Sequence, residues 1–306
     1  MNPWLPIAPC MPVTCILPPT ATVSRPRRAL RLLTAASLVL AGAVLGLVGR
    51  ALGTEGRIRL ANTWSRLLLR ALGVRIQVRQ GFTFVAPRPR EGGFSPGPAV
   101  NVVTGPPAAA ESFPGTAPLI VANHVSWLDP VVLSAALPCR LLAKREIRSW
   151  PVIGGLATGA GALFIDRDRL SALPEAVTDV AGALARGHAV TAFPEGTTWC
   201  GREMGSFRPA VFQAALDAGA PVRPVAIRYL DAYGAPATGP AFVGDDTLTI
   251  SIRRVASLRR LTVEVTLLPP VTARDRRTLA WLAESSVASV VVTPAEYAGH
   301  GVRSAA

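Results

Sequence analysis

Apolar and polar positions along the chain fall into three regimes. Residues 1–24 carry scattered prolines without periodicity, and the basic stretch RPRRALR (25–31) follows. Together they read as a disordered basic leader over 1–31. Residues 32–49, LLTAASLVLAGAVLGLVG, then run without a charge. As a helix this segment would be about 27 Å long at about 1.5 Å per residue, against a hydrocarbon core about 30 Å thick. A cleavable leader would have a shorter apolar run and a small-x-small site, and Val48-Gly49-Arg50 is a poor one. The segment therefore reads as a membrane anchor. Arginines flank it on both sides, so a span and a shallow re-entrant hairpin both fit.

The second regime is helical. In GRIRLANTWSRLLLRAL (56–72), Arg59, Arg66 and Arg70 fall within about 40° of each other on a helical wheel. Leu60, Ala61, Trp64, Leu67, Leu68 and Ala71 lie opposite. This is the pattern of a basic amphipathic helix, with Trp64 suited to the headgroup level. A surface helix packed on a core shows the same pattern. Anchor and amphipathic helix form one unit over 32–72.

The third regime alternates short apolar runs with helical stretches. VRIQVRQ (74–80), LIVA (119–122), RLLAK (140–144), GALFID (161–166), AVTAF (189–193), VRPVAIRY (222–229) and LTVEVTLL (261–268) are the expected strands. Residues 174–187, 208–219 and about 275–291 carry helical periodicity. Such alternation predicts an α/β fold: a mostly parallel central sheet with helices on both faces. The domain is expected over 73–295, with a Pro/Gly-rich loop insert at 86–117 and a tail at 296–306.

Composition changes the picture in two ways. Half the residues are apolar, and 32 Lys+Arg against 19 Asp+Glu give a net charge of +13, which suits an anionic partner such as lipid or a phosphorylated substrate. The four cysteines, Cys10, Cys15, Cys139 and Cys200, form no CxxC pair. They suggest neither a disulfide framework nor a zinc site, and no metal is expected. No aromatic-and-basic motif points to nucleic acid. The arginine pairs 253–254 and 259–260 read as a solvated helix face.

Candidate chemistry gathers at strand ends, where ligands bind in open α/β sheets. His124 lies two residues beyond LIVA, Glu195 two beyond AVTAF, and Arg167 at the end of GALFID. Ser126 could cap a helix beginning at Trp127, with Asp129 in its first turn reaching back to one imidazole nitrogen. The other nitrogen would then act as a base. Asp129 could equally serve only to favour the helix N-terminus, with Pro130 in its first turn. No GxSxG elbow supports a serine nucleophile, so direct attack by a substrate hydroxyl is the natural reaction.

NHVSWLD (123–129) resembles the first motif of the glycerolipid acyltransferase family, the type that acylates lysophosphatidic acid. GALFIDR (161–167), FPEGTT (193–198) and APVRPVAI (220–227) resemble its second, third and fourth motifs, in family order. AKREI and WPVIGG resemble the intervening segment. The resemblance covers about residues 118–230. It implies that His124 deprotonates an acceptor hydroxyl and that Asp129 orients His124. It further implies that Phe164, Arg167, Glu195, Gly196 and Thr197 form the acceptor site, and that Pro224 shapes the acyl-donor pocket. No cofactor is implied; acyl-CoA or acyl carrier protein serves as co-substrate, with a lysolipid acceptor at a membrane surface. The cytoplasmic face of the cell membrane is the expected location.

One departure bears on the acceptor. Many members carry an arginine directly after the EGT triplet, where this chain has Thr198. Arg202 or Arg208 could supply the missing charge. The acceptor implied is 1-acyl-sn-glycerol-3-phosphate, giving phosphatidic acid, with a lyso-ornithine lipid as the alternative. A non-catalytic basic protein binding membrane or nucleic acid is the alternative of another class.

Overall fold

A computed structural model of the chain describes residues 7–49, 51–81, 117–166 and 169–292. The expected tail, nearly all of the expected insert, and Arg167 lie outside the described residues.

Seven strands form one sheet: β1 (Arg75–Gln80), β2 (Leu119–Ala122), β3 (Arg140–Lys144), β4 (Leu163–Ile165), β5 (Val190–Ala192), β6 (Val222–Leu230) and β7 (Thr262–Leu267). Their order is β1-β7-β6-β2-β5-β3-β4. Every neighbouring pair is parallel except β6 with β7. β2 lies at the centre, and all four of its residues are buried. A strand covered on both faces reads as an unbroken apolar run, which is why LIVA shows no polar alternation.

Nine α-helices accompany the strands in the described residues: α1 (Pro12–Cys15), α2 (Arg25–Gly49), α3 (Thr54–Leu72), α4 (Asp129–Ala136), α5 (Ile153–Gly159), α6 (Leu173–Ala185), α7 (Phe212–Asp217), α8 (Leu248–Ser257) and α9 (Arg276–Val291). Successive strand residues point to opposite faces. Ile120 and Ala122 join one core with Leu68, Leu69 and Leu72 of α3, Val132 and Leu133 of α4, and Val255 of α8. Leu119 and Val121 join the other with Val180 and Leu184 of α6, Phe212 of α7, and Leu279 and Leu282 of α9. The doubly covered, mostly parallel sheet is the fold the alternation predicts.

Residues 7–24 depart from the expected disordered leader. Cys10 is buried in the first core, with Ala8, Cys15 and Ile16 against it. The Leu17 N–H donates to Thr238 Oγ1 at 2.9 Å, the Val23 N–H to the Ser257 carbonyl at 2.9 Å, and the Arg259 N–H to the Ala21 carbonyl at 3.0 Å. Prolines without N–H groups let an irregular segment lie on the surface with few orphan donors.

The apolar helix α2 is longer than the uncharged run and begins at Arg25. Arg25–Leu47 is long and apolar enough to cross a membrane, and few of its residues are buried. Leu30, Leu33, Leu40, Val44 and Leu47 are exposed. Its opposite side packs on α3, α5 and α8. Close approach to α5 requires glycine: a Cβ at Gly159 would stand 2.6 Å from Gly46 Cα.

Along α3, Arg59, Arg66 and Arg70 are exposed, as the wheel predicts. Trp64 does not stand free at a headgroup level, however. Its indole N–H donates to the Leu38 carbonyl of α2 at 2.8 Å. Arg66 Nε and Asn62 Nδ2 reach carbonyls at the C-terminus of α4, Ser134 and Ala135, which the helix itself leaves without partners. Arg254 of α8 is likewise not on a solvated face. It meets Asp246 at 2.5 Å and bonds the Gly239 and Ala241 carbonyls.

Candidate active site

The site is built at the carboxyl end of β2. Asn123, buried at its exit, donates Nδ2–H to the Ile227 carbonyl at 3.0 Å and accepts the Ile227 N–H at 2.8 Å. A side chain thus mimics the ladder after the β2 backbone has left the sheet. His124 follows, with its ring stacked on Phe193 at 4.3 Å between centroids.

His124 Nδ1 lies 2.8 Å from Asp129 Oδ2. The same oxygen accepts the Val125 N–H at 2.6 Å and the Ser126 N–H at 2.8 Å, while Oδ1 accepts the Tyr229 hydroxyl at 2.5 Å. Asp129 is fully buried, and His124 is 17% exposed. Four donor groups thus converge on one carboxylate. A carboxylate only accepts hydrogen bonds, so in this contact the Nδ1–H of His124 donates and Nε2 presents its lone pair. Among the described residues Nε2 has no partner. The helix begins at Asp129 and not at Trp127, because this carboxylate closes a turn over 125–128 instead. Ser126 does accept the Leu128 N–H at 3.2 Å.

No motif marks Tyr229 in the sequence. It stands a hundred positions from Asp129, and only the register of β6 beside β2 unites them. Burial, then the Asp129 charge, drives its hydroxyl well above the usual phenol range, so it remains a donor.

Backbone bonds fix the loop carrying His124. The Trp199 N–H donates to the His124 carbonyl at 2.8 Å, and the Phe242 N–H to the Val125 carbonyl at 2.9 Å. Glu195 Oε1 accepts the His124 N–H at 2.8 Å, and Oε2 accepts the Gly205 N–H at 2.9 Å. With 2% exposure and both oxygens on amides, Glu195 ties two loops together and presents nothing to an acceptor. Gly196 beside it takes φ 75°, a left-handed conformation that suits glycine. Thr197 is half-buried in the same turn.

Burial pushes the Glu195 carboxyl from 4.5 up to about 8; the two amides pull it down, and the Asp129 and Glu284 charges raise it. The folded protein therefore retains a proton that the unfolded chain loses. The resulting stability is complete below about pH 4.5 and is lost as pH rises through about 8. Glu195→Gln does not titrate. The difference in melting temperature between wild type and Glu195→Gln should therefore shift against the wild type across that window. A constant difference in paired thermal melts would contradict the assignment.

Of the other expected residues, Phe164 and Pro224 lie on strands of the same sheet, and Arg167 lies outside the described residues. Phe164 of β4 is half-buried, with the Arg148 guanidinium 5.7 Å above its ring. Pro224 is buried in β6, level with Val121 of β2. Thr198 donates its hydroxyl to the Phe242 carbonyl. Arg202 is half-buried and Arg208 exposed.

The comparisons with known proteins bear on this arrangement. A protein-family model described as Acyltransferase matches residues 108–228. A 1-acyl-sn-glycerol-3-phosphate acyltransferase of Neisseria gonorrhoeae is 38% identical over 183 residues, 59% of this chain and 71% of that one. The chain belongs to the acyltransferase family. This acyltransferase is also similar to a lyso-ornithine lipid O-acyltransferase of Pseudomonas aeruginosa, 40% identical over 172 residues, 55% of this chain and 66% of that one. The crystal structure of a 1-acyl-sn-glycerophosphate acyltransferase from Thermotoga maritima shares the fold, with a TM-score of 0.56 at 16% identity, covering 85% of this chain and 91% of that one. The chain is accordingly an enzyme, an O-acyltransferase, and enzymes of this family use acyl donors in place of a cofactor.

The fold also gathers three cysteines that no motif links. The sulfurs of Cys10, Cys15 and Cys200 lie within 4.8 Å of one another. Separations of five and 185 positions offer no spacing signal for such a group.

Proposed function

We propose that this acyltransferase moves a fatty acyl group from acyl-CoA or acyl carrier protein to the free hydroxyl of a lysolipid, with 1-acyl-sn-glycerol-3-phosphate as the acceptor and phosphatidic acid as the product. The observation that carries the reading is the contact of His124 Nδ1 with the buried Asp129 at 2.8 Å, in a chain of this family.

His124 Nε2 takes the acceptor's hydroxyl proton as its oxygen attacks the thioester carbonyl. A tetrahedral oxyanion forms, and the new imidazolium is stabilised by Asp129. The oxyanion collapses, the carbon–sulfur bond breaks, and the departing thiolate takes the proton from His124. Ester and free thiol are the products, and His124 returns to its starting state. Tyr229 and the Val125 and Ser126 amides hold Asp129 in place. Glu195, expected at the acceptor, acts here as a positioning residue that fixes the His124 backbone. Phe164, Arg167, Gly196 and Thr197 remain the acceptor side, with Arg148 over Phe164 as a further cation for a phosphate. Pro224 remains the residue assigned to the acyl-donor side.

The exposed leucines of α2 support membrane attachment. Because its other side is packed along the domain, the helix suits insertion parallel to the surface, with the site at the cytoplasmic interface where single-chain acceptors partition.

The second reading, a lyso-ornithine acceptor, is favoured by Thr198. Its hydroxyl is engaged by the Phe242 carbonyl and offers a phosphate no charge. Transfer assays on purified protein with each lysolipid decide between the two. Thr198→Arg should raise the preference for lysophosphatidate by about 10- to 150-fold, since a hydrogen bond to a charged group contributes about 1.5–3 kcal/mol. An unchanged ratio of kcat/KM for the two acceptors would remove this position from head-group selection.

A further inference from the structure

We propose that Cys10, Cys15 and Cys200 form a three-thiolate site for Zn²⁺, which pins the N-terminal segment to the loop behind the active site. The first two come from the turn around α1, closed by the Thr14 and Cys15 N–H groups donating to the Met11 carbonyl at 3.2 and 2.9 Å. The third comes from the far side of the sequence, immediately after Trp199. All three sulfurs lie within 4.8 Å of one another. An ion bonded at about 2.3 Å to each would set them about 3.8–4.0 Å apart, which asks for small movements only.

Ordinary core packing of small apolar thiols is the competing explanation. It accounts for one buried cysteine readily, but not for three that converge from two separate segments. Cys10 and Cys200 are 4% and 5% exposed, so water is excluded on their side. Cys15 is half-buried and faces the entry for the ion and a neutral fourth ligand. Soft thiolates select a d¹⁰ cation over Mg²⁺ or Ca²⁺. Binding converts three thiols to thiolates and releases three protons, leaving one net negative charge on the complex.

The position gives the site its consequence. Cys200 follows Trp199, whose N–H holds the His124 carbonyl. The same loop continues to Gly205, which donates to Glu195. An ion here would join residues 10–15 to the backbone that fixes His124, while the chemistry at Nε2 does not pass through it. Its test therefore reads metal binding and stability, independent of which acceptor the enzyme uses.

Full-length protein in detergent, purified under reductant and stripped of metal, is titrated with Co²⁺ and then Zn²⁺. The site requires one equivalent of Co²⁺ with sulfur-to-cobalt charge-transfer absorption, displacement of that signal by Zn²⁺, and a higher melting temperature in the zinc form. Cys10→Ser and Cys200→Ser should lose the absorption and the thermal shift. Cys15→Ser, at the more exposed position, keeps the test readable if the buried variants fold poorly, and should weaken binding. Absence of the charge-transfer signal in the reduced wild type would overturn the proposal. So would undiminished binding in the three serine variants, or thiols that only cross-link in air and bind no metal when reduced.

Discussion

His124→Ala should reduce acyl transfer by about 10²–10⁴-fold, the usual contribution of a positioned general base, and leave the protein folded. The ring is partly exposed, and its stacking partner Phe193 keeps its place in the core. The backbone bonds at this position, to Glu195 and from Trp199, do not depend on the side chain. The loss should fall on kcat with acceptor KM little changed, because the missing step is proton transfer. Steady-state thiol release at saturating donor, with thermal melts of both proteins, measures it. Near-wild-type turnover in the variant would remove His124 from the chemistry.

Asp129→Asn should cost a similar factor by a different route. Asparagine can keep an oxygen at the Oδ2 position for the His124 ring and the Val125 and Ser126 amides. Its NH₂ then faces the Tyr229 hydroxyl, which can turn to accept. The fold survives, but the negative charge that stabilises the imidazolium is gone. Asp129→Ala is a different experiment. It strands the buried Val125 and Ser126 amides and the buried Tyr229 hydroxyl at about 1–3 kcal/mol each, against a total stability of about 5–15 kcal/mol. The alanine variant should fail to accumulate as folded protein, while the asparagine variant folds and turns over slowly. Comparing yield, melting temperature and turnover of the pair separates charge from structure. Full activity in the asparagine variant would contradict the assigned role.

The legibility of these features follows the range of the forces involved. Strands buried on both faces are local runs of apolar residues, so LIVA and VRPVAIRY could be found from sequence alone. Helices α5 and α8 could not. IGGLATG is rich in glycine, which disfavours a helix intrinsically, yet glycine is what lets α5 meet α2 at Gly46. LTISIRRVAS is rich in β-branched residues that suit strands, but burial of Val255 and Ala256 against the sheet decides for helix. His124 and Asp129 are five positions apart, close enough for a motif to record them. Tyr229 and the three sulfurs meet only through strand register and the docking of residues 7–16, which no spacing encodes. Glu195 was visible as a charged residue at a strand end, but its burial and its two amide partners are tertiary facts.

The most direct test of the account uses purified full-length protein, an acyl thioester with a labelled chain, and each lysolipid acceptor in turn, with lipids identified by mass and free thiol counted in parallel. The account requires labelled diacyl lipid from at least one acceptor, in amounts equal to the thiol released, and neither product when acceptor is omitted. Thiol released without labelled lipid, or no turnover from folded protein with either acceptor, would contradict it.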